Sequence, residues 1–165
     1  MILYHGSYTS IPVPELFDNG RTKDFGPGFY TTTNREQAIS FSRKVIKRNE
    51  GGEPTVNIYD LDMDKAKDEC SILSFDGPTE EWLDFVMANR EGILSNTGYD
   101  MVFGPVADDN VYRTLALYIA GDFTKEETLQ KLKIRKLYDQ LVLSTEKALE
   151  YLVFKGILAK EDMNE

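Results

Sequence analysis

Every strand-like run in this chain is short, and most are followed by a segment with its own helix-start signal. Thr55-Val56-Asn57-Ile58-Tyr59 alternates and is β-branched, which suits a strand. Met101-Val102-Phe103 is apolar and ends at Gly104-Pro105, Leu141-Val142-Leu143 ends at Ser144, and Ser71–Phe75 and an edge segment at Val153-Phe154 are further candidates. The helix signals are stronger. Asn34 can cap a helix through Arg48, with Gln37 at the reciprocal capping position and Ala38, Phe41, Val45 and Ile46 at helical spacing. Thr79 can cap a helix to Arg90 that places Trp82, Phe85 and Val86 on one face for the core. Asp109 can cap a helix through Ala120 that Gly121 stops, Thr124–Lys133 is amphipathic, and Ser144 or Thr145 can cap Glu146–Leu149. Short strands, many helices and connections of variable length predict an α+β fold with sheet pieces flanked by helices.

At 165 residues the chain suits a single domain over residues 1–165 with a real core, and the mostly polar tail Glu161–Glu165 is expected to fray. No apolar run approaches the roughly 20 residues that span a bilayer, and no signal segment opens the chain; a cytoplasmic protein without a membrane partner is expected. Cys70 is the one cysteine, which rules out an internal disulfide and a cysteine-based metal cluster, and its acidic neighbours Asp68 and Glu69 disfavour a thiolate. The net charge of −9 argues against non-specific nucleic-acid binding, which needs clustered Lys and Arg. Two basic runs, Arg43–Arg48 and Lys131–Lys136, read first as solvated helix faces, and the second, just before Gln140, also as a face toward a substrate. No Gly-x-Gly-x-x-Gly opens a helix after a strand, and no phosphate-binding Walker loop is present.

Chemistry gathers at three strand-like segments. The only histidine, His5, precedes Gly6 and Ser7 in the opening Met1-Ile2-Leu3-Tyr4-His5-Gly6-Ser7. Gly26-Pro27-Gly28-Phe29-Tyr30-Thr31 places a tyrosine behind two glycines, and Asp139-Gln140-Leu141-Val142-Leu143 begins with polar residues. A tyrosine ring offers a face to a flat cationic ligand, a glycine lets the backbone approach, and a histidine can bond a hydroxyl. Taken alone, Tyr30 reads first as a core residue and His5 as a satisfied strand residue.

In this order the three segments resemble the His-Tyr-Glu class of ADP-ribosyltransferases, the class of diphtheria toxin and the poly(ADP-ribose) polymerases. Leu3–Ser7, Asp24–Thr32, Glu81–Val86, Tyr99–Asp109 and Asp139–Thr145 together also resemble a bacterial family of uncharacterised domains, DUF3990, grouped with ADP-ribosyltransferase-like toxins and toxin–antitoxin loci. That second likeness covers about residues 2 to 155. The resemblance implies a split, mixed or antiparallel sheet core flanked by helices, NAD as substrate without a metal, and transfer of ADP-ribose to a protein or nucleic-acid acceptor. It implies catalytic roles for His5, Tyr30 and Gln140, and an NAD pocket of His5, Gly6, Ser7, Arg21, Gly28, Phe29 and Tyr30. Asp108 and Asp109 are acceptor-side candidates, with a helix cap as the plainer reading, and Asp139 is second choice to Gln140. Where the polymerases have Glu this chain has Gln140, so single-unit transfer is expected in place of chain elongation. Three functions stay open: a mono-ADP-ribosyltransferase, including one that is the toxin of a locus with an antitoxin partner; a module that binds NAD or ADP-ribose without turnover, or a glycohydrolase; and a non-enzymatic interaction protein.

Overall fold

The computed structural model describes residues 1–17, 23–93, 97–106, 109–134 and 137–164. Its elements run β1 (Ile2–Ser7), β2 (Phe29–Thr31), α1 (Arg35–Asn49), β3 (Thr55–Leu61), α2 (Met63–Glu69), β4 (Ile72–Ser74), α3 (Glu80–Arg90), β5 (Met101–Pro105), α4 (Asp109–Ile119), α5 (Lys125–Lys133), β6 (Asp139–Leu143), α6 (Glu146–Leu149) and β7 (Leu152–Ile157). The architecture is α+β, with two sheets. One is antiparallel, in the order β1-β3-β7; the other is mixed, in the order β2-β6-β5-β4, with β4 parallel to β5.

The two sheets meet where Tyr4 and Thr32 exchange backbone bonds, Tyr4 N–H to Thr32 O at 2.8 Å and Thr32 N–H to Tyr4 O at 3.0 Å. Between them lies a core of Leu3, Phe29, Tyr59, Leu61, Met101, Leu141 and Leu143. Side chains alternate across a strand, so Val102 and Val142 face away from it and pack with Trp82, Leu83, Val86, Val111, Leu115 and Leu132 from α3, α4 and α5. Helix α1 covers the outer face of the first sheet through Ala38 and Ile39 against Val56.

That last packing explains Gly6. A Cβ at Gly6 would lie 2.3 Å from the Ala38 carbonyl oxygen, so only glycine lets α1 come this close to β1. A Cβ at Gly28 would likewise meet Val142 at 2.6 Å and the Leu143 carbonyl at 2.7 Å.

The cap reading holds for most helices. Asn34, Thr79 and Thr145 each accept a backbone N–H from their first turn, and Thr124, expected inside α5, stands at its cap instead and closes a full capping box with Glu127. Helix α4 starts at Asp109 itself. Helix α2 is an element the periodicity did not announce: it is short and charged, buries only Ala66, and is held by the Asp62 cap.

Two further expectations need correction. The inward residues of α1 are Ala38, Ile39 and Ser42, whereas Phe41 stays 46% exposed. The tail is docked through residue 164: Met163 is buried beside Ala38 and Ile39, its carbonyl accepts from Arg43 at 2.7 Å, and the Asp162 carbonyl accepts from Arg35. One apolar side chain among polar ones, with two arginine hydrogen bonds, seats this segment on α1.

Candidate functional site

The sheet junction opens into a cleft of about 1190 Å³, larger than most small-ligand pockets. Its walls come from β1, the loop after it, β2, α1 and the start of β6, and His5, Tyr30 and Gln140 all line it. The register explains the meeting. Tyr30 sits opposite Val142 across β2 and β6, and Gln140 lies two residues earlier on the same face of β6.

His5 is fixed from two sides. Its Nδ1 lies 2.6 Å from the Tyr30 carbonyl oxygen, and its ring stacks on Phe29 at 4.4 Å between centroids, tilted 25°. A carbonyl only accepts, so Nδ1 carries the proton and Nε2 of the neutral ring is left as an acceptor. Burial lowers the His5 pKa below its ordinary 6.5, opposed by the bond to Tyr30 and aided by the charge of Lys23. Phe29 is itself buried, so it acts as the back wall of His5.

Because the neutral ring is favoured only in the folded chain, its stabilising effect is complete above 6.5 and declines as pH falls below that value. There the unfolded chain takes up a proton that folded His5 resists. Urea denaturation of the wild type and His5→Asn across this range isolates the effect, since the chain has one histidine. Parallel pH profiles for the two proteins would contradict it.

Tyr30 is tethered by its hydroxyl, which donates to the Gly26 carbonyl at 2.6 Å and accepts from the Phe25 N–H at 3.1 Å. Burial, first, pushes the phenol pKa up, so the group stays a neutral donor. With the hydroxyl tied back, the ring is what the cleft sees. The Lys23 ammonium lies 5.1 Å from its centroid, within cation–π range.

Gln140 is 5% exposed, and its Nε2 is buried without a hydrogen-bond partner. A buried amide donor left unmade costs about 1–3 kcal/mol, which a bound acceptor atom would recover. Asp139 does not share this position. Its carboxylate accepts from the Thr33 backbone N–H at 2.9 Å and from the Thr33 hydroxyl, outside the lining of the cleft. Asp139→Ala should therefore lower stability by roughly 1 kcal/mol, measured by thermal denaturation; unchanged stability would contradict a structural role for the Thr33 contacts.

Of the remaining candidates, Gly6, Ser7 and Gly28 line the cleft. Arg21 and Asp108 lie outside the described residues, and of Asp109 the structure describes only its place at the start of α4. Sequence reasoning missed Phe41, Lys44 and Arg48, which line the cleft from α1, and Tyr112 from α4. No signal in the sequence set Phe41 apart, because it shares helical spacing with Ala38 and Val45; the structure buries Ala38, Ile39 and Ser42 instead. The loop after β1 is held in place by Asn57, whose amide bonds Thr9 and Ile11, and by the Tyr59 hydroxyl donating to Ile11 O at 2.7 Å.

A family profile described as "Protein of unknown function (DUF3990)" matches residues 1–154. The chain belongs to the DUF3990 family. No curated protein matches it. The DUF3990 match takes in His5, Tyr30 and Gln140 and ends within β7, so the Met163 tail lies beyond it. No helix among the described residues of this DUF3990 domain is long and apolar enough to cross a membrane.

Proposed function

We propose that this DUF3990 domain is an NAD-dependent mono-ADP-ribosyltransferase with an ADP-ribosyltransferase-like arrangement of its two sheets. The observation that carries the reading is the joining of His5 to Tyr30 by a 2.6 Å hydrogen bond, in a cleft that Gln140 also lines. In this reading Tyr30 stacks on the nicotinamide, and Nε2 of His5 accepts a hydroxyl of the adjoining ribose. Gly6 and Ser7 border the carboxamide, and Gln140 bonds the ribose at the reacting carbon.

The bond between nicotinamide nitrogen and ribose C1′ breaks with its electron pair leaving on nicotinamide, which becomes neutral. An acceptor oxygen or nitrogen, or water, then bonds C1′ and gives its proton to solvent. The ribose passes through a cationic state, and oriented dipoles supply the stabilisation. Lys23 stands where the cationic ring would stack, so it must leave the Tyr30 face when NAD enters.

Gln140 favours a second reading. A neutral amide orients a hydroxyl but supplies no negative charge to the cationic ribose, which fits a module that binds NAD with little or no turnover. NAD labelled in its ADP-ribose part, incubated with the protein and bacterial lysate, separates these outcomes. Nicotinamide release with label on a macromolecule supports transfer, whereas release with label only as free ADP-ribose supports a glycohydrolase. Binding by calorimetry without release supports the module. Neither binding nor release at millimolar NAD would end the nicotinamide-site reading and leave an interaction protein. A role as the toxin of a locus predicts growth arrest on expression, lost in the Tyr30→Ala variant.

A further inference from the structure

We propose that Arg90, on α3 and outside the cleft lining, is a positioning residue that sets the Tyr30 ring by latching the turn at residues 24–26. The proposal rests on the reading of Tyr30 as the nicotinamide face.

The latch is continuous in the structure. Arg90 Nε donates to Asp24 Oδ1 at 2.6 Å, and the pair is sheltered, with side-chain exposures of 17% and 6%. The Phe25 N–H donates to the Tyr30 hydroxyl oxygen, and that hydroxyl donates to the Gly26 carbonyl oxygen. Asp24, Phe25 and Gly26 thus hold one another's neighbours: the first is tied to α3 and the next two to Tyr30.

The same stretch of α3 packs on the turn through Phe85 and leaves little room for a side chain at Gly26. Phe85 meets the fully buried Phe25 ring edge-on, at 5.8 Å between centroids. Gly26 has φ +78°, and a Cβ there would lie 3.0 Å from Asn89 Oδ1. The Arg90 guanidinium also lies 4.0 Å from the centroid of the Tyr112 ring, which lines the cleft. A planar guanidinium can hold a carboxylate and stack on a ring at once, which an ammonium cannot. One side chain therefore ties α3, the turn under Tyr30 and α4 together.

The alternative is that the pair only stabilises the fold. Two readouts separate the cases. The first is hydrogen exchange at the Phe25 amide, which reports the turn without any ligand. In Arg90→Gln it should exchange about tenfold faster or more, while the amides of α1 keep their protection and Arg90→Lys recovers part of the loss. The second is NAD affinity. Arg90→Gln should weaken it about tenfold, and the same change should have no effect in a Tyr30→Ala background, the signature of coupling through one residue.

Arg90→Gln leaves Asp24 buried without its partner and risks unfolding. The double variant Arg90→Gln/Asp24→Asn removes both charges and should show the same faster Phe25 exchange in a folded protein. Unchanged Phe25 protection in either folded variant would overturn the proposal, as would an equal affinity loss in the wild-type and Tyr30→Ala backgrounds. If the wild type binds no NAD, the nicotinamide reading falls, and the exchange result still decides whether Arg90 sets Tyr30.

Discussion

Tyr30→Ala is expected to weaken NAD binding by about 1–3 kcal/mol, the scale of a lost stacking face. The ring is held edge and tip: it packs against the second core cluster, and its hydroxyl is bonded to both Phe25 and Gly26. Little ordering remains to be done when a ligand arrives, so the face is preorganised. Tyr30→Phe keeps the ring but strands the Phe25 N–H, an unmade bond worth about 1–3 kcal/mol. The phenylalanine variant should thus bind NAD more weakly than wild type and more tightly than alanine, although ring chemistry alone would make it neutral. Calorimetry on the three proteins checks the order. Equal affinity for wild type and Tyr30→Ala would remove Tyr30 from any nicotinamide site.

Gln140→Ala should lower nicotinamide release while changing stability little. The split in sign follows from its surroundings. In the ligand-free protein the Gln140 Nε2 donor has no partner, so its removal relieves a cost that offsets the small cavity left behind. In the proposed reading the same removal, with NAD bound, deletes a ribose hydrogen bond. Gln140→Glu should act the other way and raise NAD cleavage roughly tenfold or more, because a carboxylate stabilises the cationic ribose. Burial will raise the pKa of that new carboxyl, so the gain should grow with pH. The wild type should attach single ADP-ribose units. Polymer ladders from wild type, or unchanged release from Gln140→Ala, would refute this assignment.

Local physics was legible where one residue decides the outcome. Asn34 and Thr79 cap the helices that their positions announced, and of Ser144 and Thr145 it is Thr145 that caps α6, since a cap depends on the next three residues alone. Period-two alternation also separated Gln140 from Asp139, and the two do part ways, one into the cleft and one onto Thr33. Periodicity failed for α1, where Phe41 fits a helical stripe as well as Ile39 does. Which of them turns inward depends on where β1 and β3 lie, and only the sheet settles that.

The sequence by itself determined the α+β class, the capped helix starts and the short list holding His5, Tyr30 and Gln140. Tertiary structure alone decided that β2 lies beside β6 in a register that puts Tyr30 opposite Val142, and that β1 meets β2 at Tyr4 and Thr32. It also decided that Gly6 and Gly28 are glycines because α1 and β6 press against them, and that Arg90 reaches Asp24 across the chain. The reason is range. Caps and alternation are set by neighbours within a turn or a strand, whereas these contacts join residues far apart in sequence, whose meeting depends on packing the whole core at once.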